Sequence, residues 1–362
     1  MAAEHQRGTM IETVPEQARP RATDLGLRIG LLPHGANNTI TDVEGVSVGH
    51  VTLVEGEGDL LIGHGPVRTG VTVVLPHQGN IFRQKVTAAV EVVNGFGKSV
   101  GFPQVAELGV IESPIALTST LSTWRVADGL IDYMSRSNPG VFSFNPVVGE
   151  CNDGFLNDII GRHVRPFHVT RAIEEAITPN IEEGNVGAGT GMTGFGWKGG
   201  SGTSSRICEL PSDRYTVGVL VLTNTGDPRE LRIDGTQVGR NLMPPGVGES
   251  SLGSIMMVVG TDAPVTARQL GRIGRRAAFG LARAGGIASH NSGDFVIAFS
   301  NAEERPDVDD AHLTPLFRGC VEATEEAIIN SMLRAETLVG RDGNVRHAIP
   351  IADLRALIPA SS

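Results

Sequence analysis

Aromatic residues are scarce in this chain, at 4% of 362 positions, and no run of about 18 uncharged apolar residues occurs in it. The second absence argues against a membrane-spanning helix. Lys and Arg number 30 against 40 Asp and Glu, a net charge of −10. With no basic run interleaved with aromatics, a nucleic-acid or anionic-membrane role is not expected. Cysteine is limited to Cys151, Cys208 and Cys320, odd in number and widely spaced, which fits reduced thiols in a cytoplasmic protein. Met1 to Gly30 has scattered charges and no apolar h-region, so no secretory signal is expected.

Common chemical motifs are missing as well. The chain has no GxSxG elbow, no HExxH and no paired CxxC, and its ten histidines are dispersed, so neither a metal nor a cofactor is expected. Gly189-Thr-Gly-Met-Thr-Gly194 spells GxGxxG, but Phe195-Gly-Trp-Lys-Gly-Gly-Ser-Gly202 follows, too rich in glycine to open the helix that a dinucleotide site needs. A glycine-rich turn beside a binding cleft is the better reading. Gly97-Lys98-Ser99 mimics the end of a phosphate loop, but Val92 stands where that loop requires glycine.

What the chain does have is 47 glycines and 40% hydrophobic residues, which favours a sheet-rich body with many tight turns. Buried strands are expected at Thr69–His77, Tyr215–Asn224, Ser254–Thr261 and Asp294–Ser300, all near-continuous apolar runs. Ser119 to Met134 has helical spacing, with Leu121, Trp124, Val126, Leu130, Ile131 and Met134 available for one face. A second helix, capped by Thr261 or Asp262 with Pro264 in its first turn, is expected through Leu281 to about Gly285-Gly286. A third is expected from about Thr314 to Val339, closing at Gly340. Strands between helix layers make an α/β body of αββα type. Residues 1–25 read as a polar arm and 26–362 as one catalytic domain.

One position stands out chemically. Ser254 opens an apolar strand, after the structure-poor stretch Asn241-Leu-Met-Pro-Pro-Gly-Val-Gly-Glu-Ser-Ser-Leu-Gly253. Taken alone, this is a Gly-Ser loop entering a strand. If the Gly253–Ser254 bond breaks, however, Ser254 carries a hydroxyl nucleophile and a free α-amine, whose ordinary pKa of about 7.7–8.0 suits a base.

Four blocks carry a wider resemblance: Thr41-Asp-Val-Glu-Gly-Val-Ser-Val-Gly-His50; Pro146-Val-Val-Gly-Glu-Cys-Asn-Asp-Gly-Phe-Leu-Asn-Asp158; Gly187-Ala-Gly-Thr-Gly-Met192 with Lys198-Gly-Gly-Ser-Gly-Thr-Ser-Ser-Arg206; and Gly253 to Pro264. In this order, over residues 36–320, they resemble the family of L-aminopeptidase/D-esterases and β-peptidyl aminopeptidases, hydrolases with an αββα sandwich that cut themselves before a serine. The resemblance implies cleavage between Gly253 and Ser254 into chains 1–253 and 254–362, with Ser254 as the catalytic nucleophile. It places Ser292 and Asp294 around that nucleophile, Asn224 as an oxyanion donor, and Glu150 against the substrate amine. Asn152 stands where some members carry a tyrosine that helps hold the oxyanion, and Thr225 where an aromatic residue or histidine is usual. The implied substrates are small peptides, amides or esters with a free amine, and the implied assembly is a homo-oligomer, four αβ units. Three alternatives stay open: an acyltransferase of ornithine acetyltransferase type, a nylon-oligomer type hydrolase (both normally with threonine as nucleophile), and a non-catalytic binding protein of the same fold.

Overall fold

The computed structural model describes residues 19–211, 213–247, 253–303 and 308–358. Its strands in chain order are β1 (Ser47–Glu55), β2 (Val67–Leu75), β3 (Val86–Gly95), β4 (Val110–Ile111), β5 (Ile115–Ser119), β6 (Val147–Cys151), β7 (Thr193–Gly194), β8 (Trp197–Lys198), β9 (Gly200–Glu209), β10 (Arg214–Asn224), β11 (Ser254–Thr261), β12 (Gly293–Ser300), β13 (Leu338–Val339) and β14 (Val345–Arg346). The helices are α1 (Phe102–Leu108), α2 (Thr123–Ser137), α3 (Pro166–Glu174), α4 (Ala267–Gly274), α5 (Ala277–Ala284), α6 (Thr314–Leu333) and α7 (Ile351–Leu357).

Two sheets make the body. One is four-stranded, in the order β1-β2-β5-β6; the other is six-stranded, β4-β3-β12-β11-β10-β9. Every residue of β11 and β12 is buried, because the six-stranded sheet is covered on both faces. Side chains alternate along a strand. Ile255, Met257 and Val259 therefore pack with α4, α5 and α6, while Met256 and Val258 pack with Val74, Leu117 and Val147 of the other sheet. The outer face of the four-stranded sheet is closed by α2 and α3 through Val126, Leu130, Val169 and Ala172. The result is the expected αββα sandwich. A continuous apolar run is the sequence form that such double coverage demands.

Several element boundaries differ from expectation. In α2 the buried face is Val126, Ala127, Leu130 and Met134, whereas Trp124 is 58% exposed and Ile131 39% exposed. The hundred-degree step carries those two off the face that meets the sheet. The helix after β11 begins later and is broken. Thr261 belongs to the strand, and Thr266 caps α4 with a Gln269 capping box. Near Gly274 the backbone tightens, Arg276 N–H to Ile273 O at 2.9 Å, and α5 starts separately. The helix expected to reach Val339 stops at Leu333. Its last carbonyl accepts from Arg19 Nε at 2.8 Å, and Leu338–Val339 pairs instead with Val345–Arg346. Residues 19–25 are held by Arg19, which also donates to Ile349 O, and by Ala22 N–H, which donates to Asn330 Oδ1 at 2.9 Å.

Backbones approach closely where α6 crosses β9 at Gly202. A Cβ there would collide with the Ala327 carbonyl and lie 2.7 Å from Ser331 Cβ. Gly202→Ala is expected to destabilise the protein by about 1–3 kcal/mol through overpacking, read as a lower urea midpoint; an unchanged midpoint would show that α6 can back away.

Candidate active site

Strand register assembles the site. Asn224, the last residue of β10, pairs with Ser254, the first of β11, and Ser254 pairs in parallel with Gly293, the first of β12. Gly293 N–H donates to Ser254 Oγ at 3.2 Å. Gly253 must be small. A Cβ there would collide with the Asn224 carbonyl and come within 2.6 Å of Thr225 Cα.

Ser292 and Asp294 flank Gly293, and Ser292 Oγ donates to Asp294 Oδ1 at 2.7 Å. Asp294 is fully buried, and that burial pushes its pKa up to about 6, against the pull of Ser292 and of the Ile255 backbone. The turn before β12 is held by Asn94 of β3, whose amide donates to the carbonyls of Ser289, His290 and Ser292.

The amide of Asn224 has a fixed orientation. Its Oδ1 accepts from Thr193 N–H at 2.8 Å and its Nδ2 donates to the Asn152 carbonyl at 3.0 Å, so a flipped amide would face donor to donor and acceptor to acceptor. An NH2 group carries two hydrogens, and this contact uses one. Asn152 is exposed, and its side-chain oxygen accepts from Gly154 N–H at 2.9 Å within its own turn. Its backbone carbonyl, rather than its amide, meets Asn224. Thr225, where an aromatic residue or histidine was the expected type, accepts at its carbonyl from Phe195 N–H at 2.7 Å, and the Phe195 ring packs over Gly226.

Glu150 on β6 reaches the same place from the other sheet. One carboxylate oxygen accepts from Lys98 N–H at 2.8 Å and the other from Thr120 Oγ1. Burial raises its pKa, and the two donors offset part of that rise. The loop that supplies Lys98 N–H fits because residue 97 is glycine: a Cβ there would stand 2.7 Å from Phe295 Cε2 and 3.2 Å from Glu150 Oε1. Glu150, Asn152, Asn224 and Ser254 line one cavity of about 530 Å³, with Phe96, Lys98, Phe155 and Arg346 among its other walls. Asp153 beside them accepts from Thr69, Ser119 and Asn157 side chains and is scaffold.

Sequence reasoning missed Thr120, Thr193, Lys198 and Arg346. Lys198 is fully buried, and its Nζ donates to the carbonyls of Gly189, Met192 and Gly199 at 3.1, 3.0 and 2.6 Å. Burial lowers its pKa to about 7. It ties down the glycine-rich turn that presents Thr193 N–H to Asn224, which is the use this GxGxxG stretch has. The lysine's position inside a glycine-rich run was the available signal. Among the described residues no group of three or more His, Cys, Asp or Glu is placed to hold a metal ion, and no helix is long and apolar enough to cross a membrane.

A helix-covered pair of sheets, with a serine at the start of a central strand facing an amide and a carboxylate, is the architecture of the Ntn-hydrolase-fold aminopeptidases. It matches the solved L-aminopeptidase D-Ala-esterase/amidase from Ochrobactrum anthropi, described as a new variant among the Ntn hydrolase fold, with TM-score 0.85 and 36% identity over 94% of this chain and 98% of that one. The chain belongs to peptidase family S58, which it matches over residues 38–346, and it is a peptide-bond hydrolase of the aminopeptidase type. It is 41% identical to β-peptidyl aminopeptidase BapA from Sphingosinicella microcystinivorans, over 97% of this chain and 95% of that protein. The PH0078 protein from Pyrococcus horikoshii OT3 matches with TM-score 0.88 and 49% identity, over 93% and 98% of the two chains.

Lys198→Met keeps the bulk but takes one donor from each of three carbonyls. Met192 O keeps Gly199 N–H and Gly189 O keeps Met192 N–H, so the loss is largest at the Gly199 carbonyl, about 1–3 kcal/mol. A clearly lower urea midpoint is expected. A midpoint equal to the wild type's would mean that the turn holds itself.

Proposed function

We propose that the chain cuts itself between Gly253 and Ser254 and then works as a serine aminopeptidase on small peptides, amides or esters with a free amine. The observation that carries this reading is the alignment of Ser254 between Asn224 and Gly293, at the wall of a cavity that also holds Glu150. In the cutting step Ser254 Oγ attacks the Gly253 carbonyl carbon, and its proton passes to the Ser292–Asp294 pair. The pair returns that proton to the Ser254 nitrogen as the C–N bond breaks, leaving an ester on Oγ and a free amine on Ser254, and water hydrolyses the ester to the Gly253 carboxylate. Chains 1–253 and 254–362 stay interlocked, because β11 and β12 lie between β10 and β3 in one sheet.

In the cut enzyme the Ser254 α-amine takes the Oγ proton as Oγ attacks the substrate carbonyl, and returns it to the departing amine. Water then removes the acyl group from Oγ. The second Nδ2 hydrogen of Asn224 serves the oxyanion. Glu150, desolvated and held by Thr120 and Lys98 N–H, pairs with the substrate ammonium. Asn152 supports Asn224 through its carbonyl. The reading extends to a cytoplasmic homo-oligomer of four αβ units, with residues 26–362 as one catalytic domain.

Denaturing gels with N-terminal sequencing test the cut: wild type should give a smaller band beginning at Ser254, and Ser254→Ala a single uncut, inactive chain. A single full-length band from fully active wild type would refute it. The pH dependence has a defined sign. Asp294 accepts a proton only as a carboxylate, so the cutting rate should rise with pH through about 6. Asp294→Asn should slow cutting and flatten that limb; a wild-type rate that is flat or falling there contradicts the role. Glu150→Gln should raise KM for aminoacyl p-nitroanilides by about 10–100-fold, the loss of a charged hydrogen bond, with a smaller change in kcat. An unchanged KM would remove Glu150 from amine recognition. Running that panel with L-α-, D- and β-aminoacyl groups sets the preferred residue.

A further inference from the structure

The cavity holds a cation that this mechanism does not use. Arg346, the last residue of the β13–β14 ribbon, stacks its guanidinium on the Phe155 ring, with Cζ 3.4 Å from the ring centroid. Its Nε donates to Thr193 Oγ1 at 3.1 Å and its Nη1 to the Val345 carbonyl at 3.3 Å. Neither bond uses Nη2. Among the described residues no carboxylate forms an ion pair with it, although Arg346 is half-buried and desolvation lowers its pKa to about 10. The placement is built rather than loose. Lys198 N–H donates to His347 O at 2.8 Å, Asn344 donates to Phe155 O at 2.9 Å, and Arg341 Nε donates to Gly154 O at 2.7 Å.

A half-buried guanidinium with neither a protein anion nor bulk water around all of its face is a receptor for an anion. Contacts give its direction relative to the nucleophile. Arg346 touches Thr193, Thr193 touches Asn224, and Asn224 pairs with Ser254. Glu150 arrives from the other side, through Lys98 N–H and Gly97, which packs against Gly293 beside Ser254. The serine therefore stands between a fixed anion and a fixed cation. A short peptide has the same order: ammonium, scissile carbonyl, carboxylate. Lys98, the other cation in the wall, is exposed and belongs to the Glu150 end.

We infer that Arg346 is a specificity-determining residue that binds the free carboxylate of the leaving amino acid, so that the enzyme favours dipeptides over their C-terminal amides. The inference rests on the aminopeptidase reading and on Glu150 holding the substrate amine.

The test uses the processed enzyme and a matched pair, a dipeptide and its C-terminal amide, built on the N-terminal residue released fastest from p-nitroanilides. Wild type should favour the free acid in kcat/KM by about tenfold or more, mainly through KM. Arg346→Gln should bring the ratio to about one, and Arg346→Lys should restore part of it, because a point charge lacks the guanidinium fork. A ratio that is the same in Arg346→Gln as in wild type, or a wild type that prefers the amide, overturns the inference. p-Nitroanilides carry no carboxylate, so their hydrolysis by wild type tests the aminopeptidase reading separately: an enzyme active on them but indifferent to the carboxylate fails only here.

Discussion

Everything at this site depends on the register of three strands. Strand pairing is discrete, and a slip of one residue sends each side chain to the opposite face. With β11 pinned between β10 and β12, Ser254 can only fall beside Asn224 and Gly293. The apolar residues behind it enforce that register: Ile255, Met257 and Val259 fit against the helices, and Met256 and Val258 against the other sheet. A slip would exchange two packed cores. The precision of the site thus comes from hydrophobic layers well away from the chemistry, and the serine adds little to it.

Around that fixed point the polar groups are dry. Glu150 and Asp294 lose water on burial and bind protons more tightly than they would in solution, yet each keeps donors aimed at it: Thr120 and Lys98 N–H on one, Ser292 on the other. Such groups respond strongly to a newly arriving charge, because little water is left to screen it. The Lys198 tie has a parallel purpose, since the turn that it closes carries the N–H that orients the Asn224 amide. Backbone, amide and carboxylate are all set before any ligand enters.

Much of this was legible in the sequence. Long runs of β-branched and apolar residues marked β10, β11 and β12 to within a residue, because double-sided burial leaves no room for polar alternation. The structure gathers Glu150, Asn224 and Ser254, singled out from the sequence, at one cavity, with Ser292 and Asp294 beside it. Helix ends were harder. Thr261 is a plausible cap by type, but strand pairing with Val217 claims it, and the capping box forms at Thr266. Leu338–Val339 continues a helical pattern, yet a ribbon partner seven residues on draws it away. Arg346 was invisible for the same reason: nothing local joins residue 346 to residues 155 and 193, and only the folded chain brings them together.

The central claim is that one residue supplies both attacker and proton acceptor once the chain is cut. Intact-mass analysis after reaction with a slowly released acylating substrate tests it most directly. The account predicts one added acyl group, on the fragment that begins at residue 254 and nowhere else, mapped by digestion to its first residue. An acyl group on the larger fragment, or turnover with no covalent adduct at any time point, would contradict it.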